Sequence, residues 1–173
     1  MVDATINANI TTVVNSLIQN VFNSSTKVNA TYIDGTDLLA GQEGFTPPPS
    51  SLDANGNLTI TIKLNSNELP HYSQQFIATV IMHESLHAYL TTINYLGALQ
   101  HETIATTFVT QMALDLQQMF PGLSDADAKN LALGGLDGTD TFKKTIATDM
   151  KLLGSYQATQ LAYSIGSLGL RCN

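Results

Sequence analysis

The chain contains no tryptophan, a single cysteine, and only seven lysines and arginines among its 173 residues. Each shortage excludes a class of protein. Cys172, alone and next to the C-terminal end, cannot close an internal disulfide and cannot build the cysteine-rich zinc modules, which need several thiolates at short spacing. Seven basic residues against fourteen acidic ones leave a formal charge of -7, and no basic run occurs anywhere. Such a surface repels phosphate backbones, so nucleic acid is not an expected partner. Apolar stretches are too short or too interrupted to span a bilayer, so no membrane span is expected. The opening MVDATINANI has neither a basic n-region nor an apolar core, so no signal peptide is expected within it. Richness in Thr, Asn, Ser and Gln with little Lys suits a mature exported domain, although the compartment stays open.

What is present points to a folded domain. Hydrophobic residues make up 43% and charged residues 12%, a balance that excludes a disordered chain. The length is most simply one domain, residues 1–173, large enough to bury a real core. Apolar residues from Ala4 to Phe22 fall at helical spacing. Thr31 to Asn57 is dense in turn formers, with Pro47-Pro48-Pro49 as an extended loop and Asn55-Gly56-Asn57 as a tight turn. Leu58-Thr59-Ile60-Thr61-Ile62-Lys63-Leu64 alternates apolar and polar residues and predicts a strand. The apolar part of Thr31–Leu39 is a possible partner strand. Beyond Ser73 the chain predicts helices over Phe76–Tyr95, His101–Phe120, a short one capped by Ser124, then Thr141–Leu153 and Ser155–Ile165. Gly134-Gly135-Leu136-Asp137-Gly138 interrupts that run. The expected fold class is therefore α+β, mainly helical, with a small sheet.

The chemically informative string is Met82-His83-Glu84-Ser85-Leu86-His87. Histidines four apart on a helix point the same way, one turn above the other, about 6 Å between side-chain roots. Two such imidazoles can grip one tetrahedral zinc ion at about 2.0–2.1 Å. Glu84 is rotated away from the ligand direction, which suits a general base acting on water at the metal. With four His and four Glu in the chain, the pattern H-E-x-x-H arises by chance in about one such sequence in 500. Phe76, Ile77, Val80, Ile81, Leu86, Ala88 and Leu90 make the helix apolar nearly all round, so it is buried. Burying two imidazoles and a carboxylate there costs several kcal/mol unless something binds them.

His83-Glu84-x-x-His87 on an apolar helix, after an extended strand, resembles the zincin metallopeptidases. The resemblance covers roughly residues 58–120. Ala88-Tyr89-Leu90-Thr91-Thr92-Ile93 lacks the glycine and third histidine that continue the metzincin motif, which leaves the gluzincin or SprT-like groups. The resemblance implies a zincin-like fold in which Leu58–Leu64 edges the cleft and receives a peptide or protein substrate by strand addition. It also implies Zn2+ as cofactor and Glu84 as the catalytic base.

His83 and His87 are two expected ligands, and His101 is the expected third, at a spacing similar to the SprT-like pattern. Glu102 and Asp115 are the alternatives. A continuous helix would carry His101 about 21 Å past His87, so the helix must end near Thr92 and the chain must turn back over Asn94 and Gly97. His71 is expected at the surface. Asp137 could orient a ligand imidazole, although a plain turn is the simpler reading. Tyr72, Tyr89, Tyr95, Tyr156 and Tyr163 are available as oxyanion donors, and the sequence does not choose among them. The same motif would also serve a zinc amidase or esterase with non-peptide substrates, or a metal-binding domain without catalysis.

Overall fold

The computed structural model describes residues 13–23, 25–48 and 52–171. Residues 4–12 of the first expected helix, Pro49 in the proline loop and Cys172 lie outside them. The described end of the first helix is α1, Val13–Ile18, which widens into a π turn over Gln19–Asn23. Three strands follow: β1, Val28–Asp34; β2, Gly44–Phe45; and β3, Leu58–Leu64. After a 3-10 turn at Leu69–His71 come α2, Gln74–Thr92, and α3, Ala98–Thr103. A π turn over Ile104–Phe108 joins α3 to α4, Val109–Met119. The last helices are α5, Asp125–Ala132; α6, Asp140–Thr145; and α7, Met150–Ser164.

This is the expected α+β, mainly helical class. One expectation fails, because β3 is not an edge strand: the order is β1-β3-β2. β1 runs parallel to β3 along its whole length, from Val28 opposite Leu58 to Asp34 opposite Leu64. β2 closes the other side antiparallel, Gly44 opposite Leu64 and Phe45 opposite Lys63. The alternating pattern of β3 shows which residues face the core, and it carries no information about which edge is paired. Ile60 and Ile62 are fully buried and pack with Ala88 of α2, each contributing roughly 1.5–3 kcal/mol. Leu69, Ile77 and Ile81 form a second patch between the sheet and α2.

α2 is the spine of the domain. Ser73 caps it, its hydroxyl accepting from the Phe76 amide. One side of α2 meets the sheet. The others meet α1, α4 and α5 through Ala78, Met82, Leu86 and Leu90, packed with Val14, Met112 and Leu131. A helix enclosed in this way must be apolar around its circumference. The helix ends at Thr92, Asn94 and Gly97 take positive φ (63° and 62°), and the chain doubles back into α3. Among the described residues no helix is long and apolar enough to cross a membrane.

One helical expectation holds and another is adjusted. Ser124 does cap α5, accepting from the Asp127 amide. The helix expected over Thr141–Leu153 is instead two. α6 stops at Thr145, and Asp149 starts α7 by accepting from the amides of Lys151 and Leu152. A side-chain carboxylate that satisfies the first amides of a new helix outweighs continuing the old one.

Candidate metal centre

The reversal at Asn94–Gly97 lays the start of α3 back against the middle of α2. There His83, His87 and His101 converge, and one nitrogen from each can be chosen so that all lie within 4.8 Å of one another. His83 and His87 are buried and His101 is half-buried. The Nε2 atoms of His83 and His87 are 3.0 Å apart. Two nitrogens bound to zinc at tetrahedral angles would stand about 3.4 Å apart, so the pair is already close to a chelating separation.

Electrostatics make the cluster a set of neutral donors. Burial holds the His83 imidazole well below its ordinary pKa, and the charges of His87 and His101 push the same way. Burial also takes His87 down to about 4, partly opposed by its bond to Gln100. His101 is lowered by burial, while the Asp137 carboxylate raises it. At neutral pH the three rings therefore offer lone pairs, as a metal ligand must.

Gln100 fixes which lone pair His87 offers. Its amide nitrogen stands 2.8 Å from the Tyr95 carbonyl, 2.9 Å from Thr91 Oγ1 and 3.3 Å from the His87 carbonyl. Surrounded by acceptors, that end must be the NH2, so Oε1 faces His87 Nδ1 at 2.8 Å and accepts its proton. His87 Nε2 is left as a bare acceptor pointing at His83. If His83 Nε2 supplied the proton between the two rings, its Nδ1 would be a bare buried acceptor. That atom has no hydrogen-bond partner among the described residues. A cation between the rings would use both Nε2 lone pairs, and three neutral imidazoles are a donor set that suits a borderline divalent metal ion.

Glu84 lies beside the cluster, 7% exposed. Burial pushes its carboxyl up to about 7, against a lowering by its bond to Thr46. The Thr46 hydroxyl sits 2.7 Å from Oε2. The strand touching this residue is β2, not β3. A Cβ on Gly44 would stand 2.6 Å from Glu84 Cγ, so no larger residue fits without displacing the carboxylate. On the opposite wall Gly135, at φ +76°, approaches the His83 ring; a Cβ there would come within 3.3 Å of Cε1. Between these walls opens a cleft of about 310 Å³, which reaches His83, Glu84 and His101.

The remaining named residues are placed elsewhere. Glu102 turns away and caps α6, accepting from the amides of Asp140 and Thr141 and from the Thr141 hydroxyl. Asp115 is buried on α4 and does not belong to the histidine cluster. His71 is exposed, in a shallow depression with Tyr72 and Arg171. Asp137 is exposed and acts on His101 through its charge. Of the tyrosines, Tyr72 donates to Glu68 and Tyr89 packs edge-on to Phe108. Tyr95 is exposed, and Tyr163 reaches toward Asp127. Tyr156 stacks edge-on to Phe142, and its hydroxyl feels the carboxylates of Asp137 and Glu43.

Gln100, Thr46, Gly44 and Gly135 were not singled out by the sequence. Only Gln100, adjacent to His101, offered any positional hint. Comparison with family models, curated proteins and solved structures found no match to this chain.

Proposed function

We propose that the protein is a zinc-dependent hydrolase that cleaves peptide bonds, with zinc held by His83, His87 and His101 and Glu84 as general base. The observation that carries this reading is the convergence of three neutral imidazoles, two of them on the wall of one cleft, with a buried carboxylate at the H-E-x-x-H position. Zinc in that position supplies a Lewis acid that polarises a carbonyl and acidifies water. Glu84 exchanges the proton. In the metal-free cleft burial raises its carboxyl to about 7, and a cation bound beside it would lower that value toward the ionised form a general base needs. Thr46 holds Oε2, which aims the carboxylate and leaves Oε1 to take the proton. Gln100 keeps the His87 ring from turning, and Gly135 leaves the His83 ring uncrowded.

β2 takes the role first expected of β3. It lies at the sheet's edge and touches Glu84, so a substrate strand adding to the sheet would lie along Gly44–Phe45, across the catalytic carboxylate.

The test combines metal analysis with a peptide library. Purified protein should carry close to one zinc per chain and show hydroxamate-sensitive cleavage. Glu84→Gln should keep the zinc and lose on the order of 10²–10⁴ in turnover, the usual share of a positioned base. Protein that takes up no metal, or a Glu84→Gln variant as active as the parent, would end this reading. Cleavage of non-peptide amides or esters with no peptide turned over would move it to an amidase or esterase.

A further inference from the structure

Beyond the histidine cluster, the cleft has a definite chemical character. Phe76, Val80 and Leu131 give it apolar lining, beside Gly134 and Gly135. At about 310 Å³ it stands at the small end of ligand pockets, which run from about 300 to 1,000 Å³. That is room for one or two side chains rather than a long segment. No lysine or arginine lines it, and its charged lining is Glu43 and Glu84 with the neutral histidines.

Glu84 is committed to Thr46 and the proposed chemistry. Glu43 is not. It sits one residue before β2, half-buried, and among the described residues it forms no ion pair. Burial raises the proton affinity of its carboxyl, a hydrogen bond from its own backbone amide partly opposes this, and the nearby Glu68 carboxylate adds to the rise. Glu68 itself is engaged by the Gly41 amide and the Tyr72 hydroxyl. A partly desolvated carboxylate without a counter-ion, on the wall of an apolar cleft, is stabilised by a cation brought in from outside.

We infer that Glu43 is a specificity-determining residue, selecting substrates that place a positively charged group, an amino terminus or a Lys/Arg side chain, beside an apolar side chain in this cleft. The inference rests on the proposed peptidase reading for the word substrate, but the recognition itself requires only the cleft.

The test is binding of three short peptides that share one leucine, measured by calorimetry at pH 7 with the intact, zinc-loaded protein. The first carries arginine and an acetylated terminus, the second norleucine and a free terminus, and the third norleucine and an acetylated terminus. Chromatography of the same samples records any hydrolysis, and KM replaces Kd for a peptide that is cleaved. At least one cationic peptide should bind about tenfold more tightly than the neutral one, the scale of one hydrogen bond to a charged group. Whichever leads identifies the source of the charge. Glu43→Gln, with an unchanged melting temperature, should erase the gap. Equal binding of all three, no binding at all, or a preference that survives Glu43→Gln would overturn the inference. A charge preference without hydrolysis would refute the peptidase reading alone, and hydrolysis without charge preference would refute this inference alone.

Discussion

Replacing Gln100 separates metal orientation from loop stability, because its two ends do different work. Oε1 accepts from His87 Nδ1 at 2.8 Å, while the NH2 binds the Tyr95 carbonyl at 2.8 Å and Thr91 Oγ1 at 2.9 Å. Gln100→Ala removes both ends. Losing the acceptor frees the His87 ring and its tautomer, which costs about 10–100-fold in metal affinity for such an outer partner, or about 1.4–2.7 kcal/mol. Losing two donated bonds costs about 2 kcal/mol of folding stability, or roughly 4–8 °C in Tm for a chain of this size. Gln100→Glu keeps an acceptor for Nδ1 and gives up both donors. It should therefore lose similar stability when metal-free while holding zinc at least as tightly as the parent, since a carboxylate makes the imidazole more basic. Competition against a chromophoric chelator reads the affinity, and melting of chelator-treated protein reads the stability. Equal zinc affinity in Gln100→Ala and Gln100→Glu would refute the claim that this amide selects the His87 tautomer.

Removing His101 should weaken zinc binding sharply. Glu102→Ala, which uncaps α6, should leave the affinity in place and cost about 1 kcal/mol in stability; a zinc-binding defect in Glu102→Ala measured by the same competition would reverse these roles. The metal-free protein should lose stability as pH falls from about 6.5 to 4.5. His83 and His87 are depressed in the fold, so the unfolded chain binds their protons first. Glu84, raised to about 7, opposes them by binding its proton first in the fold. His101, also lowered, adds to the histidines and Glu43, also raised, adds to Glu84, so about one proton is taken up on unfolding, a slope on the order of 1.4 kcal/mol per pH unit. Chemical denaturation of chelator-treated protein should show that slope reduced or reversed in a His83→Gln, His87→Gln double variant, and an unchanged slope would contradict it.

The sequence by itself determined the local features. Helical period, the Ser124 cap, and the weak helix formers from Thr91 to Gly97 are properties of neighbouring residues, so α2, its end and the turn back could be read without coordinates. The spacing of His83 and His87 is likewise local, since four residues on a helix bring two rings to one face. The order of the strands was decided only by the tertiary structure. Alternation in Leu58–Leu64 marks its buried face, whereas its pairing depends on Val28–Asp34 and Gly44–Phe45, chosen by the whole packing. The choice of His101 over its neighbour Glu102 was also decided there. The two differ by one position on α3, about 100° of rotation, and how α3 docks on α2 determines which one faces the site. Thr46, Gly44 and Gly135 owe their places beside Glu84 and His83 to contacts from 38 to 52 residues away along the chain. No local pattern encodes such contacts, because they form only when the separately folded segments close over one another.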